Sequence, residues 1–342
     1  MRSILLIYTG GTIGMIQDEE TGLLKPFDFD YLSNEIPELK KLDYQITTIC
    51  FDTPIDSSDM QPETWGKIAK IIENNYAQND GFVILHGSDT MAYTASALSF
   101  MLERLSKPVI LTGSQLPIGI IRTDAKENLL TAIEIAAAKH PDNSPVIKEV
   151  AVYFEYHLYR GNRTTKISAQ QFDAFASPNY PPLAEAGVHI DYAFEYLKPL
   201  NENFNSFNVF YNLKNTVASI KLYPGIRKEN IECLLSVPHL QAVVFETFGS
   251  GNGFTAPWFL EVLKKFENQN ILIVNKTQCL SGKVEQGKYA TSSYFTKVNA
   301  LSAGDMTFEA TITKLMYLLG KYSSVSKVRE QFLMNISGEL SS

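Results

Sequence analysis

Hydroxyl and carboxylate side chains follow four predicted strands of this chain, each set beside a glycine or within a short polar cluster. They fall in residues 9–14, 56–59, 86–90 and 112–115. A Ser or Thr hydroxyl becomes a nucleophile when a base removes its proton. One loop of this kind is ordinary, because Ser, Thr, Asp and Gly are common in turns and helix caps. Four such loops at one edge of a sheet predict a polar pocket equipped for nucleophilic attack.

Lys166 is the candidate base for such a nucleophile. His86 ends a predicted strand, so we expect it to be packed and hydrogen-bonded rather than catalytic. Burial lowers the pKa of a lysine and lets it replace histidine as a base, although a single lysine is more often a solvated surface residue. The chain has no HExxH, no paired His or Cys spacing and no GxSxG. Zinc-hydrolase and α/β-hydrolase interpretations therefore have no support, and no metal site is predicted.

Phosphate, nucleic-acid and membrane binding are all disfavoured. Residues 10–14 do not match the GxxxxGK(S/T) pattern of a P-loop, and the third glycine of a dinucleotide fingerprint at 248–253 falls on Phe254. The chain has 30 Lys and Arg against 37 Asp and Glu, a formal charge of −7. An acidic chain without basic tracts is a poor partner for nucleic acid or anionic lipid. A small neutral or zwitterionic ligand fits better, and no cofactor is predicted.

Alternating strands and helices must position these loops. Strands are predicted at residues 3–8, 44–51, 82–85, 109–112 and 150–156, and helices at 63–76, 91–105 and 125–138. This alternation predicts an α/β fold whose parallel-rich sheet is flanked by helices. Ligands of such sheets bind outside the carboxyl ends of the strands, where the polar loops begin. Asp124 is predicted to cap the third helix.

The alternation breaks at residues 191–212, which are rich in Asn, Tyr and Phe and are predicted to form a linker. It resumes with strands at 216–222, 242–246 and 271–275 and helices at 226–235, 257–266 and 308–319. We therefore predict a larger N-terminal α/β catalytic domain at 1–190 and a smaller C-terminal α/β domain at 213–342.

Cysteine usage and hydropathy predict a cytoplasmic protein. The cysteines, Cys50, Cys233 and Cys279, are too few and too scattered for a disulfide framework. No stretch approaches the ~18 uninterrupted apolar residues of a membrane span. The apolar run at 4–8 is shorter than the roughly 7–15-residue core of a secretory signal.

Two segments resemble the signature motifs of the asparaginase/glutaminase family: Thr-Gly-Gly-Thr-Ile at 9–13 and His-Gly-Ser-Asp-Thr-Met at 86–91. Further matches at 56–60, 92–96, 160–166, 172–179 and 277–279 extend the resemblance over nearly the whole chain, and it is closest to the cytoplasmic type I branch. The resemblance implies a two-domain asparaginase-like fold and hydrolysis of L-asparagine to L-aspartate and ammonia. It also implies no metal or cofactor, and assembly as a homodimer or homotetramer.

The resemblance carries over catalytic roles residue by residue. Thr12 matches the primary nucleophile. Ser88, Asp89 and Lys166 match a Thr–Asp–Lys group on the other side of the substrate amide, and Asp89 is expected to pair with the substrate ammonium. Ser88 stands where relatives usually have threonine; the hydroxyl is kept, so the chemistry is expected to survive with looser control of the rotamer.

Substrate-binding roles carry over in the same way. Asp56, Ser57 and Ser58 match the loop that holds the α-carboxylate and ammonium of the substrate. Ser114 matches the position whose backbone carbonyl faces the leaving amide nitrogen. These assignments add a substrate clamp to the catalytic group.

The tyrosine that activates the nucleophile in many relatives has no counterpart in the N-terminal loop. Residues 18–26 contain no tyrosine, and Leu23 or Leu24 occupies the region. Some relatives use a tyrosine after the Thr-Gln-Cys segment, which here is Tyr289. We assign the activating role to Tyr289.

A second, allosteric asparagine site of some type I relatives is only partly matched. Asn252, Thr277 and Cys279 match its turn and strand end, but Glu246 stands where an arginine is expected. This charge reversal opposes binding of an anionic carboxylate, so we expect homotropic activation to be lost or altered.

Three alternative functions remain open. A glutaminase-asparaginase differs from an asparaginase in that it also accepts glutamine, whose side chain is one methylene longer. An amidase subunit of a tRNA-dependent amidotransferase usually carries an added N-terminal domain, whereas this chain begins directly on a predicted strand. A catalytically idle amino-acid-binding protein is disfavoured by the intact Thr12, Asp89 and Lys166.

Overall fold

A computed structural model describes residues 1–14, 16–17, 24–25, 36–199, 207–288 and 290–341 of the chain. The described residues divide into two units, Met1–Tyr211 and Asn212–Ser342. No helix within these ranges combines the length and the apolar content that crossing a bilayer requires.

Apolar runs rich in β-branched residues form the strands of the N-terminal unit, since such side chains pack well on extended backbone. The five predicted strands of this unit are confirmed, with ends that differ by at most two residues. The strands described are β1 (Arg2–Tyr8), β2 (Ile16–Gln17), β3 (Leu24–Lys25), β4 (Tyr44–Cys50), β5 (Gly81–Leu85), β6 (Leu102–Glu103), β7 (Val109–Thr112), β8 (Val150–Phe154), β9 (His157–Arg160), β10 (Thr165–Lys166), β11 (Phe175–Ala176), β12 (Ala184–Ala186), β13 (Ile190–Tyr192) and β14 (Asn208–Val209).

The main sheet of this unit has the strand order β13-β12-β9-β8-β7-β5-β1-β4 among the described residues. The neighbours from β4 to β8 are parallel, and β9, β12 and β13 extend the sheet in antiparallel pairs. The predicted parallel-rich sheet is therefore confirmed. From β1 the chain moves to β4 on one side and then to β5 on the other, so the strand order reverses at β1. The carboxyl ends at such a reversal are the usual ligand site of an open sheet.

Helices that flank this sheet are α1 (Pro62–Asn75), α2 (Met91–Met101) and α3 (Ala125–Ala137). α1 buries Trp65, Ile68, Ala69 and Ile72, which is the i, i+3, i+4, i+7 spacing of an amphipathic helix. α2 is buried on nearly all sides, and α3 packs on β1, β5, β7 and β8.

α2 ends earlier than the predicted limit at residue 105. Leu102–Glu103 leaves the helix and pairs, as β6, with β14 more than a hundred residues later. Arg104 then adopts a φ of +57°, which a helix does not allow. The apolar spacing within the helix carries no information about that distant partner. The predicted helix was therefore too long at its C-terminal end. The segment 191–212 also contains β14, the last residues of β13 and a 3-10 turn at Phe194–Tyr196.

A parallel sheet also forms the centre of the C-terminal unit. Its strands run in the order β15 (Val217–Lys221), β16 (Ala242–Thr247), β17 (Leu272–Thr277) and β18 (Leu301–Ser302). The helices described are α4 (Lys228–Glu232), α5 (Pro257–Asn268), α6 (Ser293–Lys297), α7 (Phe308–Lys321) and α8 (Val325–Phe332). Phe245 meets Phe259, Phe266 and Phe295 edge-on at ring-centroid distances of 5.9–6.0 Å, a favourable aromatic geometry. The predicted helix at 226–235 is shorter, because a 3-10 turn at Cys233–Ser236 follows α4.

Candidate active site

The loops after β1, β4 and β5 pack against one another through glycine, and we call this contact the glycine crossing (Gly11, Ser57 and Gly87). A Cβ atom on Gly11 would lie 2.4 Å from the Gly87 nitrogen, and one on Gly87 would lie 2.5 Å from Ser57 Oγ. Neither position has room for a side chain. Gly11 also has a φ of +87°, which glycine adopts without strain. Thr12 directly follows Gly11 and Ser88 directly follows Gly87, so the close approach of the two glycines places Thr12 and Ser88 near each other.

Lys166 connects Ser88 and Asp89 from a distant part of the chain. Its Nζ donates to Ser88 Oγ at 2.8 Å and to Asp89 Oδ1 at 2.6 Å. The Lys166 side chain is 17% exposed, whereas that of Asp89 is 64% exposed. The carboxylate therefore keeps oxygen surface open to a cationic ligand. The three side chains that the resemblance grouped together are in direct contact.

The backbone that carries Lys166 is anchored on both sides. Lys166 lies on β10, opposite Phe175 of β11, and the hydroxyl of Thr164 donates to the Arg160 carbonyl at 2.7 Å. Arg160 in turn pairs with buried Glu149 at 2.6 Å. A buried, hydrogen-bonded ion pair of this kind tolerates the loss of either partner poorly, so it holds the start of the segment that presents Lys166.

Asp56, Ser57 and Ser58 form a turn that contributes Ser57 to the glycine crossing. Asp56 Oδ1 accepts from the Ser58 hydroxyl at 2.6 Å and from its N–H at 2.9 Å. These bonds hold the pKa of Asp56 below its usual value, so its carboxylate is charged at neutral pH. Ser57 is buried, and its carbonyl accepts from the Thr90 hydroxyl at 2.6 Å. The turn is thus tied to the loop that carries Ser88 and Asp89.

Ser114 lies after β7 and is buried. Its hydroxyl donates to the Leu116 carbonyl at 2.6 Å, and the role predicted for its own carbonyl stays a prediction. Asp124 is the N-cap residue of α3 as predicted, but the predicted capping bond of its side chain is wrong. The carboxylate accepts instead from the N–H groups of Gln115 at 2.9 Å and Leu116 at 3.2 Å. Two loop N–H groups within reach compete successfully with the first helical turn, and Asp124 consequently shapes the loop around Ser114.

Tyr8 is a site residue that sequence reasoning missed. Its buried hydroxyl donates to the Gly11 carbonyl at 3.4 Å. Burial, with nearby Cys50 as the smaller cause, raises the pKa of Tyr8 to about 12, so the hydroxyl remains a donor at physiological pH. Tyr8 ends an apolar strand, and nothing in the local pattern separates it from a core residue.

Thr12 begins a 3-10 turn, Thr12–Gly14, and is half-buried. Tyr289 lies outside the described residues, so its predicted role stays a prediction. Among the residues that the structure describes, no three His, Cys, Asp or Glu side chains are grouped so as to hold a metal ion.

The four residues matched to an allosteric site lie near the carboxyl ends of β16 and β17 in the C-terminal unit. Thr277 Oγ1 donates to the Gly249 carbonyl and accepts from the Cys279 N–H. Asn252 Oδ1 accepts from the Thr291 hydroxyl at 2.7 Å. Glu246 stands in register with buried Lys276, whose pKa is lowered by burial and held up in part by Glu246. A carboxylate thus occupies the edge where the resemblance expects a cation.

Comparison with known proteins covers both units. The family model described as "Asparaginase, N-terminal" matches residues 3–197, and that described as "Glutaminase/Asparaginase C-terminal domain" matches residues 216–332. L-asparaginase 1 of Escherichia coli K12 is 44% identical over 340 residues, which span 99% of this chain and 98% of that protein.

Two further relatives extend the comparison. The crystal structure of L-asparaginase I from Vibrio cholerae is 40% identical with a TM-score of 0.89, and the match covers 99% of both chains. The 60 kDa lysophospholipase of Mus musculus is 40% identical over 99% of this chain, which spans only 62% of that longer protein.

Proposed function

The chain belongs to the asparaginase/glutaminase family, and from that premise we propose that it hydrolyses L-asparagine to L-aspartate and ammonia. The observation that carries the proposal is the contact of Lys166 Nζ with both Ser88 Oγ and Asp89 Oδ1 beside the glycine crossing that leads to Thr12. Proton transfer requires a basic group hydrogen-bonded to a hydroxyl, as Lys166 is to Ser88. A protein that only binds an amino acid does not require this pair.

In the proposed reaction the Thr12 hydroxyl attacks the side-chain amide carbon of asparagine. The carbon–nitrogen bond breaks, the threonine proton passes to the leaving nitrogen, and ammonia departs. A β-aspartyl ester remains on Thr12, and water then cleaves it to release aspartate. Ser88 and Lys166 are the groups of the site that carry protons between these atoms.

Substrate binding in this proposal uses the exposed oxygens of the site. Asp89 forms a charge-assisted hydrogen bond with the substrate ammonium, and the turn of Asp56, Ser57 and Ser58 contacts the α-carboxylate and ammonium. Backbone N–H groups near Thr12 and Ser88 stabilise the oxyanion, where one donor is worth roughly 3–4 kcal/mol in other enzymes. The Ser114 carbonyl faces the leaving nitrogen.

Side-by-side turnover of asparagine and glutamine tests this function. We expect kcat/KM to favour asparagine by about 10-fold or more, since one methylene in a fitted pocket is worth ~1–3 kcal/mol. Ammonia release in a coupled assay measures both reactions. Equal turnover of the two amides would identify a glutaminase-asparaginase. Release from neither would contradict the proposal and favour an amidotransferase subunit or a binding protein.

We also propose that the protein is a cytoplasmic homodimer or homotetramer. The scattered cysteines support a reducing compartment, and the resemblance to the family supports the assembly. Light scattering of the purified protein distinguishes a monomer, dimer and tetramer of this 38.3 kDa chain.

Asparagine saturation is expected to be hyperbolic, because Glu246 stands where a cation would be needed to hold the carboxylate of a second asparagine near Asn252 and Thr277. Initial rates measured over a wide range of asparagine concentration check this. Glu246→Gln is the matched control, since it removes the charge without adding a cation, and its curve should also be hyperbolic. A strongly sigmoidal wild-type curve would contradict the assignment.

A further inference from the structure

His86, which directly precedes Gly87 of the glycine crossing, is fully buried. His86 Nδ1 is 2.7 Å from the Gly87 carbonyl oxygen, and His86 Nε2 is 2.8 Å from Thr94 Oγ1. Thr94 Oγ1 also lies 3.0 Å from Trp65 Nε1. Trp65 comes from α1 and Thr94 from α2, and all three side chains are at most 5% exposed. The result is a continuous hydrogen-bond chain from one helix, through another, to the backbone of the site.

Only one arrangement of protons satisfies this chain when His86 is neutral. The Gly87 carbonyl can only accept, so His86 Nδ1 must carry the ring proton, and Nε2 is left as an acceptor. The Thr94 hydroxyl therefore donates to Nε2 and accepts from the Trp65 indole, which can only donate. Burial lowers the pKa of His86 from 6.5 to about 4, so the neutral ring is present at physiological pH.

The accepting carbonyl belongs to the residue on which the site loops converge. Gly87 is in contact with Gly11 on one side and with Ser57 on the other. The backbone of His86 is fixed as well: its N–H donates to the Thr112 carbonyl at 2.9 Å, and a Cβ atom on Gly113 would lie 2.3 Å from its carbonyl oxygen. A rotation of the peptide after Gly87 would move Ser88 and Asp89 together.

We propose that His86 is a positioning residue, which uses Nδ1–H to hold the Gly87 carbonyl and thereby places Ser88 and Asp89 against Lys166. Trp65 and Thr94 orient the ring by occupying Nε2. This inference rests on the proposed function, because Ser88 and Asp89 are the groups that it places for asparagine hydrolysis. His86 takes no part in the proton transfers themselves.

A pair of amide substitutions separates positioning from packing. Asn places its Nδ2 near the former Nδ1 and keeps the donor to Gly87, whereas Gln places its amide near the former Nε2 and loses that donor. We expect His86→Gln to lower kcat/KM for asparagine by about 30–100-fold, since misplacement by about 1 Å costs up to ~10²-fold. His86→Asn should stay within about fivefold of wild type. Both variants lose the ring, so their melting temperatures should be similar.

Equal activity losses in the two variants, or no loss in His86→Gln, would overturn the proposal. Thr94→Val and Thr94→Ser provide a second pair: Val removes the donor to Nε2 at nearly constant volume, and Ser retains it. We expect the Val variant to lose more activity than the Ser variant, and the reverse order would also overturn the proposal.

The wild-type protein supplies a test that does not depend on an active enzyme and uses a variant only to assign one signal. Nitrogen-15 NMR of selectively labelled histidine should show His86 as a neutral ring with protonated Nδ1 and bare Nε2; the missing signal of His86→Asn assigns it. A protonated Nε2 with bare Nδ1 would refute the positioning role even if asparagine is hydrolysed. Absent turnover with the expected tautomer would instead refute the proposed function.

Discussion

Thr12→Ala is expected to lower kcat for asparagine by about 10⁴-fold or more, since removal of a catalytic nucleophile elsewhere costs up to ~10⁶-fold. The reason is chemical: the half-buried Thr12 is the group assigned to form the acyl-enzyme, and alanine has no oxygen with which to form it. Aspartate binding, measured by calorimetry, should change little, because the proposed contacts of the amino acid come from other loops.

Thr12→Ser is the matched control. It keeps the hydroxyl but loses the methyl group that restricts the side-chain rotamer, so measurable turnover should remain. Hydroxylamine added during turnover should trap the β-aspartyl ester as a hydroxamate in wild type and in the Ser variant, but not in the Ala variant. A Thr12→Ala protein with activity within tenfold of wild type would remove Thr12 from the mechanism.

Lys166→Met is expected to lower kcat by about 10³-fold, within the ~10²–10⁴-fold that positioned acid–base groups contribute. Methionine is also long and unbranched, so the side-chain volume is largely kept. The two contacts of Nζ with Ser88 and Asp89 are lost, so the proton path is interrupted and Asp89 loses its cation. We expect kcat to fall strongly, whereas the melting temperature should change little.

Lys139→Met is the matched control for that variant. Lys139 Nζ pairs with Asp80 at 2.8 Å, and its side chain is 14% exposed, close to the 17% of Lys166. Asp80 precedes β5 and Lys139 follows α3, so this pair lies at the opposite end of the strands from the candidate site. Its loss should change activity less than about twofold, as expected for a partly exposed ion pair. Similar losses in the two variants would contradict a specific role for Lys166.

Most of the longer strands and helices of both units could be predicted from local pattern, whereas the short strands could not. β1, β4, β5, β7 and β8 are apolar, β-branched runs, and α1 shows its buried stripe in the sequence. These signals are strong because the burial of a strand or a helix face depends on residues a few positions apart. Ser88 and Asp89 could also be assigned to one site from the sequence, because they are neighbours in the loop that follows β5.

Other features depend on contacts between distant segments. The C-terminal end of α2 and the hydrogen-bond partners of the Asp124 carboxylate were mispredicted, because both depend on residues elsewhere in the chain. The buried chain from Trp65 through Thr94 to His86 was not foreseen at all, although His86 was expected to be packed and hydrogen-bonded, and this expectation is confirmed.

The parallel-rich sheet, the polar loops after its strands and the motifs that contain Thr12, Ser88, Asp89 and Lys166 are all legible in the order of the residues. Two features are visible only in the folded chain: Lys166, 77 residues after Asp89, reaches it at 2.6 Å, and Gly87 is the contact point of three loops. Periodicity records which face of a segment is buried. The identity of the atoms that meet there is set by strand order and close backbone packing, which no local pattern encodes.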